Sequence, residues 1–141
     1  SYAFQGCRNM TQVSLCSGLT SIGDYAFSRT GLQNVVLPDG LQSIGESAFD
    51  STNLVSLIIP ASVTYIDCYA FESNKNLSTV YCMPATPPSV GTDYDDGDRY
   101  WDAFDGCAAG CKIYVPQSSL DSYKSASYWK EYKDKMVGYS F

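Results

Sequence analysis

The sequence predicts an α/β repeat protein of about five coils of 22–23 residues, each with one short parallel strand, and a small helical C-terminal cap. Three observations carry that expectation. The dipeptide Ala-Phe recurs at Ala3-Phe4, Ala26-Phe27, Ala48-Phe49, Ala70-Phe71 and Ala103-Phe104, at intervals of 23, 22, 22 and 33 residues. A period in the low twenties marks one structural unit copied along the chain. Between the copies apolar residues keep fixed columns, and after Pro116 the pattern stops.

Each repeat opens on an apolar triplet: Met10, Val13, Leu15; then Leu32, Val35, Leu37; then Leu54, Leu57, Ile59; then Leu77, Val80, Cys82. The end of the triplet alternates with period two, which is the pattern of a short strand. Strands are therefore expected near Val13, Val35, Leu57, Val80 and Ile113, stacked in parallel about 4.8 Å apart. Pro38, Pro60 and Pro84 follow them; proline cannot donate to a ladder and ends the strand. A second apolar pair comes next, Leu19 and Ile22, Leu41 and Ile44, Val63 and Ile66. The five Ala-Phe phenylalanines should point inward as one buried ladder, since each coil can cover its apolar side only against a neighbour.

Residues 85–102, with Pro87-Pro88 and a Gly- and Asp-rich run, read as an insertion loop within a repeat unit spanning 1–116. Residues 117–141 read as the cap. There Ser118 and Asp121 have capping-box spacing, and Leu120 with Tyr123 and Trp129 with Tyr132 form apolar pairs three apart on one or two short helices.

The run Leu54-Val-Ser-Leu-Ile-Ile-Pro-Ala-Ser-Val-Thr-Tyr-Ile-Asp-Cys-Tyr-Ala-Phe71 resembles the BspA-like leucine-rich repeats, and the resemblance covers about residues 1–116. It implies a right-handed leucine-rich-repeat solenoid. It also implies a secreted or cell-surface bacterial protein, an adhesin or binder of host matrix. The tail from Ile113 to Tyr132 is similar to the C-terminal cap common in such proteins.

Composition narrows the function. A net charge of −6 and a pI near 4.3 argue against a phosphate-backbone partner. No run of about 18 apolar residues offers a membrane-spanning helix. Histidine is absent, which removes Ser-His and Cys-His nucleophile pairs and the usual zinc ligands. With no phosphate-cradling glycine motif either, no enzyme and no cofactor are expected. The chain opens inside a repeat, at Ser1-Tyr2-Ala3-Phe4, and reads as a processed or truncated piece whose first coil needs cover over Met10, Val13 and Leu15.

Candidate sites divide into a loop, a thiol pair and a stripe. The acidic run Asp93–Asp98 invites a calcium reading, but no bidentate Glu stands where a twelve-residue loop needs one, and an exposed acidic loop is the better reading. Cys107 and Cys111 are spaced to close a small disulfide in an oxidising compartment, or to remain free. Cys82 reads as core, and Tyr2, Tyr25 and Tyr69, just before Ala-Phe, as half-buried rings between coils. The outward strand positions Val36, Ile58, Tyr81 and Tyr114 should form an apolar-aromatic stripe, flanked by Gln12, Asn34, Ser56, Thr79 and Lys112. Such a stripe marks an interaction surface, although β-propensity alone also fills these slots. Tyr94, Tyr100 and Trp101 of the insertion are expected as its rim. A non-catalytic recognition module binding protein ligands on the strand face is the leading reading. A structural spacer, or a carbohydrate-binding module using those rings, is the alternative.

Overall fold

The computed structural model describes residues 1–91 and 103–141. Its strands fall into two four-stranded parallel sheets. One sheet is made of two-residue strands: β1 (Ser21–Ile22), β2 (Ser43–Ile44), β4 (Tyr65–Ile66) and β6 (Ser89–Val90), hydrogen-bonded in that order. The other comprises β3 (Ser56–Ile59), β5 (Thr79–Cys82), β7 (Lys112–Pro116) and β8 (Met136–Tyr139), also in that order. Pairings link equivalent repeat positions, as in Ser21↔Ser43↔Tyr65↔Ser89. A single chemical column thus becomes a single line through the stack.

The sequence expectation of one strand per coil needs correction. The second residue of each apolar pair lies in a second strand, with Ile22, Ile44 and Ile66 buried from it. Conversely, no strand forms around Val13 or Val35. There the ties between neighbours are sparse and partly long, with Gln33 N–H donating to Thr11 O at 3.3 Å and Val55 N–H to Gln33 O at 3.3 Å. Ser89 and Val90, read as part of the insertion, pair with Tyr65 and Ile66.

A ladder of phenylalanines runs through the core. Phe4, Phe27, Phe49, Phe71 and Phe104 stack face to face with ring centroids 5.5, 5.2, 5.5 and 5.3 Å apart. Phe27, Phe49, Phe71 and Phe104 are buried, but Phe4 is 41% exposed, against the expectation of a wholly buried ladder. Among the described residues its ring stacks on one side only, against Phe27. Met10, Val13 and Leu15 are likewise only half-buried.

Beside the ladder, backbone amides bind repeat to repeat: Phe4 N–H donates to Ala26 O, Phe27 N–H to Ala48 O, Phe49 N–H to Ala70 O and Phe71 N–H to Ala103 O, each at 2.8 Å. Two positions per repeat take a left-handed backbone to make these turns. Tyr2, Tyr25, Ser47 and Tyr69 precede Ala-Phe with φ from 50° to 63°, and Gly6, Arg29, Ser51, Ser73 and Gly106 follow two residues after Phe with φ from 53° to 76°. At Gly106 a Cβ would approach Ser73 Cα to 3.2 Å as well, so conformation and space both favour glycine there.

Three residues after Phe lies a polar column that satisfies these turns. Thr30 Oγ1 donates to Phe27 O at 2.8 Å. Thr52 Oγ1 donates to Asn74 Oδ1, and Asn74 Nδ2 donates to Phe49 O at 2.8 Å and Phe71 O at 2.9 Å. Asn74 is fully buried; its amide ties two successive coils with no polar atom left unpaired.

Immediately after Phe, Asp50, Glu72 and Asp105 form an acidic column. Burial first, then the charges of Asp50 and Asp105, push the Glu72 carboxyl above the ordinary 4.5. A group whose pKa is raised by folding adds stability below its unfolded value and loses that contribution as pH rises through the folded one. Glu72→Gln is therefore expected to raise the melting temperature near pH 7. The gain should vanish as pH falls below 4.5, where the wild-type carboxyl is protonated too. Melting curves from pH 3 to 8 check this; a gain unchanged at low pH would contradict it.

The C-terminal segment packs on the last coils. It has a 3-10 turn at Gln117–Ser119, a short helix α1 (Leu120–Ser125), a second 3-10 stretch at Trp129–Lys135, and β8. Tyr123, Trp129 and Tyr132 are buried as their spacing predicts. Three side chains bond to carbonyls just after the fourth triplet: Tyr123 OH to Pro84 O at 2.7 Å, Ser119 Oγ to Ala85 O at 2.7 Å and Trp129 Nε1 to Pro88 O at 2.8 Å. Tyr132 Oη accepts from Phe104 N–H at 3.3 Å. The expected capping box is not formed, since α1 starts after Ser119 and has no side-chain cap. Nor is the segment purely helical. β8 pairs along β7 from Ile113↔Met136 to Pro116↔Tyr139, giving partners to an edge whose backbone groups would otherwise lack them.

Candidate functional site

Strands β3, β5, β7 and β8 owe their outer face to alternation. Leu57 and Ile59, Val80 and Cys82, Ile113 and Val115, and Met136 point into the core, so the residues between them face out. The register brings Ile58, Tyr81, Tyr114 and Val137 into one line. Ile58 is 55% and Val36 83% exposed, whereas Tyr81 and Tyr114 are half-buried. Tyr100 and Trp101, the other candidate binding residues, lie outside the described residues together with Tyr94 and the acidic run Asp93–Asp98.

Tyr81 and Tyr114 are half-covered because they belong to a cluster of rings. They stack on each other at 5.0 Å. The Tyr139 ring meets both edge-on, at 5.5 and 5.7 Å. Phe141 closes the group, 5.0 Å from Tyr139 and 6.2 Å from Tyr81. Tyr139 and Phe141 remain 42% and 51% exposed. Edge-to-face and offset contacts of this kind fix ring orientation, so the sheet presents a preset aromatic surface. Sequence reasoning missed Val137, Tyr139 and Phe141; the alternation in Met136-Val-Gly-Tyr139 was the available signal.

The other candidates fall elsewhere. Cys82 is fully buried, its thiol pushed up to about 12 by burial, with the Tyr123 hydroxyl 3.5 Å away. Tyr25 and Tyr69 are half-buried as predicted. Tyr2 stacks on Tyr25 at 5.0 Å but is 57% exposed. The Tyr25 phenol, donating to Glu46, is raised to about 12 first by that bond and then by burial. Among the described residues no group of three His, Cys, Asp or Glu side chains is placed to hold a metal ion. In the same residues no helix is long and apolar enough to cross a membrane.

Parallel strands in two sheets, joined at equivalent positions of a repeat, define a parallel-stranded repeat protein. The family model for BspA-type leucine-rich repeat regions matches residues 1–90 in six copies, and the chain belongs to that family. Repeats of this type typically stand on bacterial surfaces, commonly mediate protein binding and are generally non-enzymatic. No curated protein matches the chain.

Proposed function

We propose that this chain is a non-catalytic recognition module of a secreted or cell-surface bacterial protein, binding protein ligands on its outer strand face. In this reading residues 1–116 are one right-handed solenoid of about five coils, with an insertion at 85–102 and a cap at 117–141. Val36, Ile58, Tyr81 and Tyr114 carry the ligand, and Tyr100 and Trp101 form its rim. Host matrix or bacterial surface proteins are the ligand class.

The observation that carries this reading is the line from the exposed Ile58 to the four-ring cluster of Tyr81, Tyr114, Tyr139 and Phe141, with Val36 exposed in the preceding repeat. A soluble chain seldom leaves a contiguous apolar patch uncovered unless it serves association, and tyrosine is enriched where partners dock. Lys112 is the charged residue on the flanking row formed with Ser56 and Thr79. On an acidic protein, a face so poor in charge suits the core of an interface.

Replacing Ile58, Tyr81 and Tyr114 together by Ser should leave the fold in place, because the inward Leu57, Val80 and Ile113 are untouched. Pull-down against a panel of matrix proteins should then fall to background. Retained binding by the folded triple variant would place the ligand on the insertion or off this chain. Binding lost only to glycans released from those proteins would favour the carbohydrate alternative.

A further inference from the structure

Cys107 and Cys111 are chemically distinct from the other thiols. Cys111 N–H donates to Ala108 O at 2.9 Å, closing a turn that leads into β7. The Cys107 thiol donates to Phe71 O and the Cys111 thiol to Lys112 O, each at 4.0 Å. Both line one hollow of about 300 Å³ between the last coil and the cap, walled by Phe104, Ile113, Glu131, Tyr132 and Lys135. Solvent reaches the half-buried Cys107, whereas Cys111 is 2% exposed. By contrast, Cys7 and Cys16 are exposed, and Cys68 and Cys82 are buried.

We propose that Cys107 and Cys111 form a dithiol oxidation site, where low-molecular-weight disulfides react at Cys107 and leave a Cys107–Cys111 disulfide across the turn. The geometry assigns the roles. Cys107 is the more exposed residue of the two and takes the first attack, and the buried Cys111 is the resolving sulfur. The neighbouring Cys107 thiol, and after it the Lys135 charge, draw Cys111 below its ordinary 9.0. The Cys111 sulfur beside it, and then burial, raise Cys107. Thiolates, not thiols, attack disulfides, so Cys107 gives up its proton to solvent as it reacts.

The exchange balances in two steps. Cys107 sulfur gives its proton to solvent and attacks RS–SR, one RS⁻ leaves and takes a proton from solvent, and a Cys107–SR bond forms. Cys111 sulfur then attacks Cys107 sulfur, expels the second RS⁻ and gives it the proton. Two protein thiols are oxidised by two electrons, and RSSR is reduced to two RSH.

The test uses the chain carrying Cys7→Ser and Cys16→Ser, which removes the two exposed thiols, equilibrated with glutathione redox buffers. Peptide mapping by mass spectrometry should find the Cys107–Cys111 link, a loss of about 2 Da, with Cys68 and Cys82 unmodified. Adding Cys111→Ser should stop the reaction at a glutathione adduct on Cys107. Adding Cys107→Ser instead should slow modification of Cys111 at least about tenfold. No link under buffers that oxidise a reference dithiol would overturn the proposal. So would a link to Cys68 or Cys82, or Cys111 reacting unslowed without Cys107.

Discussion

Phe49→Ala is expected to cost about 3–5 kcal/mol, measured as the shift in urea unfolding followed by circular dichroism. Phe49 is fully buried, with Phe27 5.2 Å away on one face and Phe71 5.5 Å away on the other. Deleting its ring opens a cavity in mid-stack and removes a stacking partner from two neighbours at once. The coils flanking it are also held by Phe27 N–H to Ala48 O and Phe49 N–H to Ala70 O, which cannot close inward without losing those bonds. Phe4→Ala is the internal comparison. That ring is 41% exposed and has one stacked neighbour, so its loss should cost well under half as much. Equal costs at the two positions would show that the ladder is not the stabilising core.

Trp129→Ala should be of comparable size, about 3–5 kcal/mol, through a different contact set. Trp129 is 2% exposed, packs edge-on to Tyr123 at 5.2 Å, and leans on Phe104 at 6.1 Å. It thereby joins the last ring of the ladder to α1. Its Nε1–H also satisfies Pro88 O at 2.8 Å. Trp129→Phe keeps much of the apolar body and drops the donor, so it isolates the hydrogen bond, expected at about 1–2 kcal/mol. Loosening here should spread to β8 and to the Tyr139 and Phe141 rings on the outer face. Protease cleavage near the C-terminus, faster in Trp129→Ala than in Trp129→Phe, is the second readout.

What the sequence revealed follows from how its signals arise. The Phe ladder and the inward triplets were legible because burial acts on side-chain size at a fixed period. The β1, β2, β4 and β6 strands were not, since two residues are too few to show an alternation. The left-handed columns were masked in a different way. Glycine marks them at Gly6 and Gly106, but Tyr25, Arg29, Ser51 and Ser73 accept the same backbone where coil-to-coil hydrogen bonds impose it. Ser118 and Asp121 carried the spacing of a capping box, yet Ser119 spends its hydroxyl on Ala85, a contact no local pattern encodes. At the candidate site, the outward positions of Ile58, Tyr81 and Tyr114 followed from strand period alone. The rings of Tyr139 and Phe141 reach Tyr81 only through the tertiary pairing of β8 with β7.

The amide ladder beside the phenylalanines has an electrical direction, opposite to that of the Gly45 to Ile22 and Asp67 to Ile44 row. Every hydrogen bond in that row, from Phe4 to Ala26 through Phe71 to Ala103, has its N–H aimed toward the C-terminal neighbour, and the rows at Tyr25 to Glu46 and Arg29 to Asp50 run the same way. Peptide dipoles that line up head to tail add, as they do along a helix. One end of the row therefore presents donors and the other acceptors. At the donor end Phe104 N–H would be the orphan, and it is met by the phenol oxygen of Tyr132. The terminal segment thus does for the repeat stack what an N-cap side chain does for a helix: it supplies the lone pair on which a polarised chain of amides terminates.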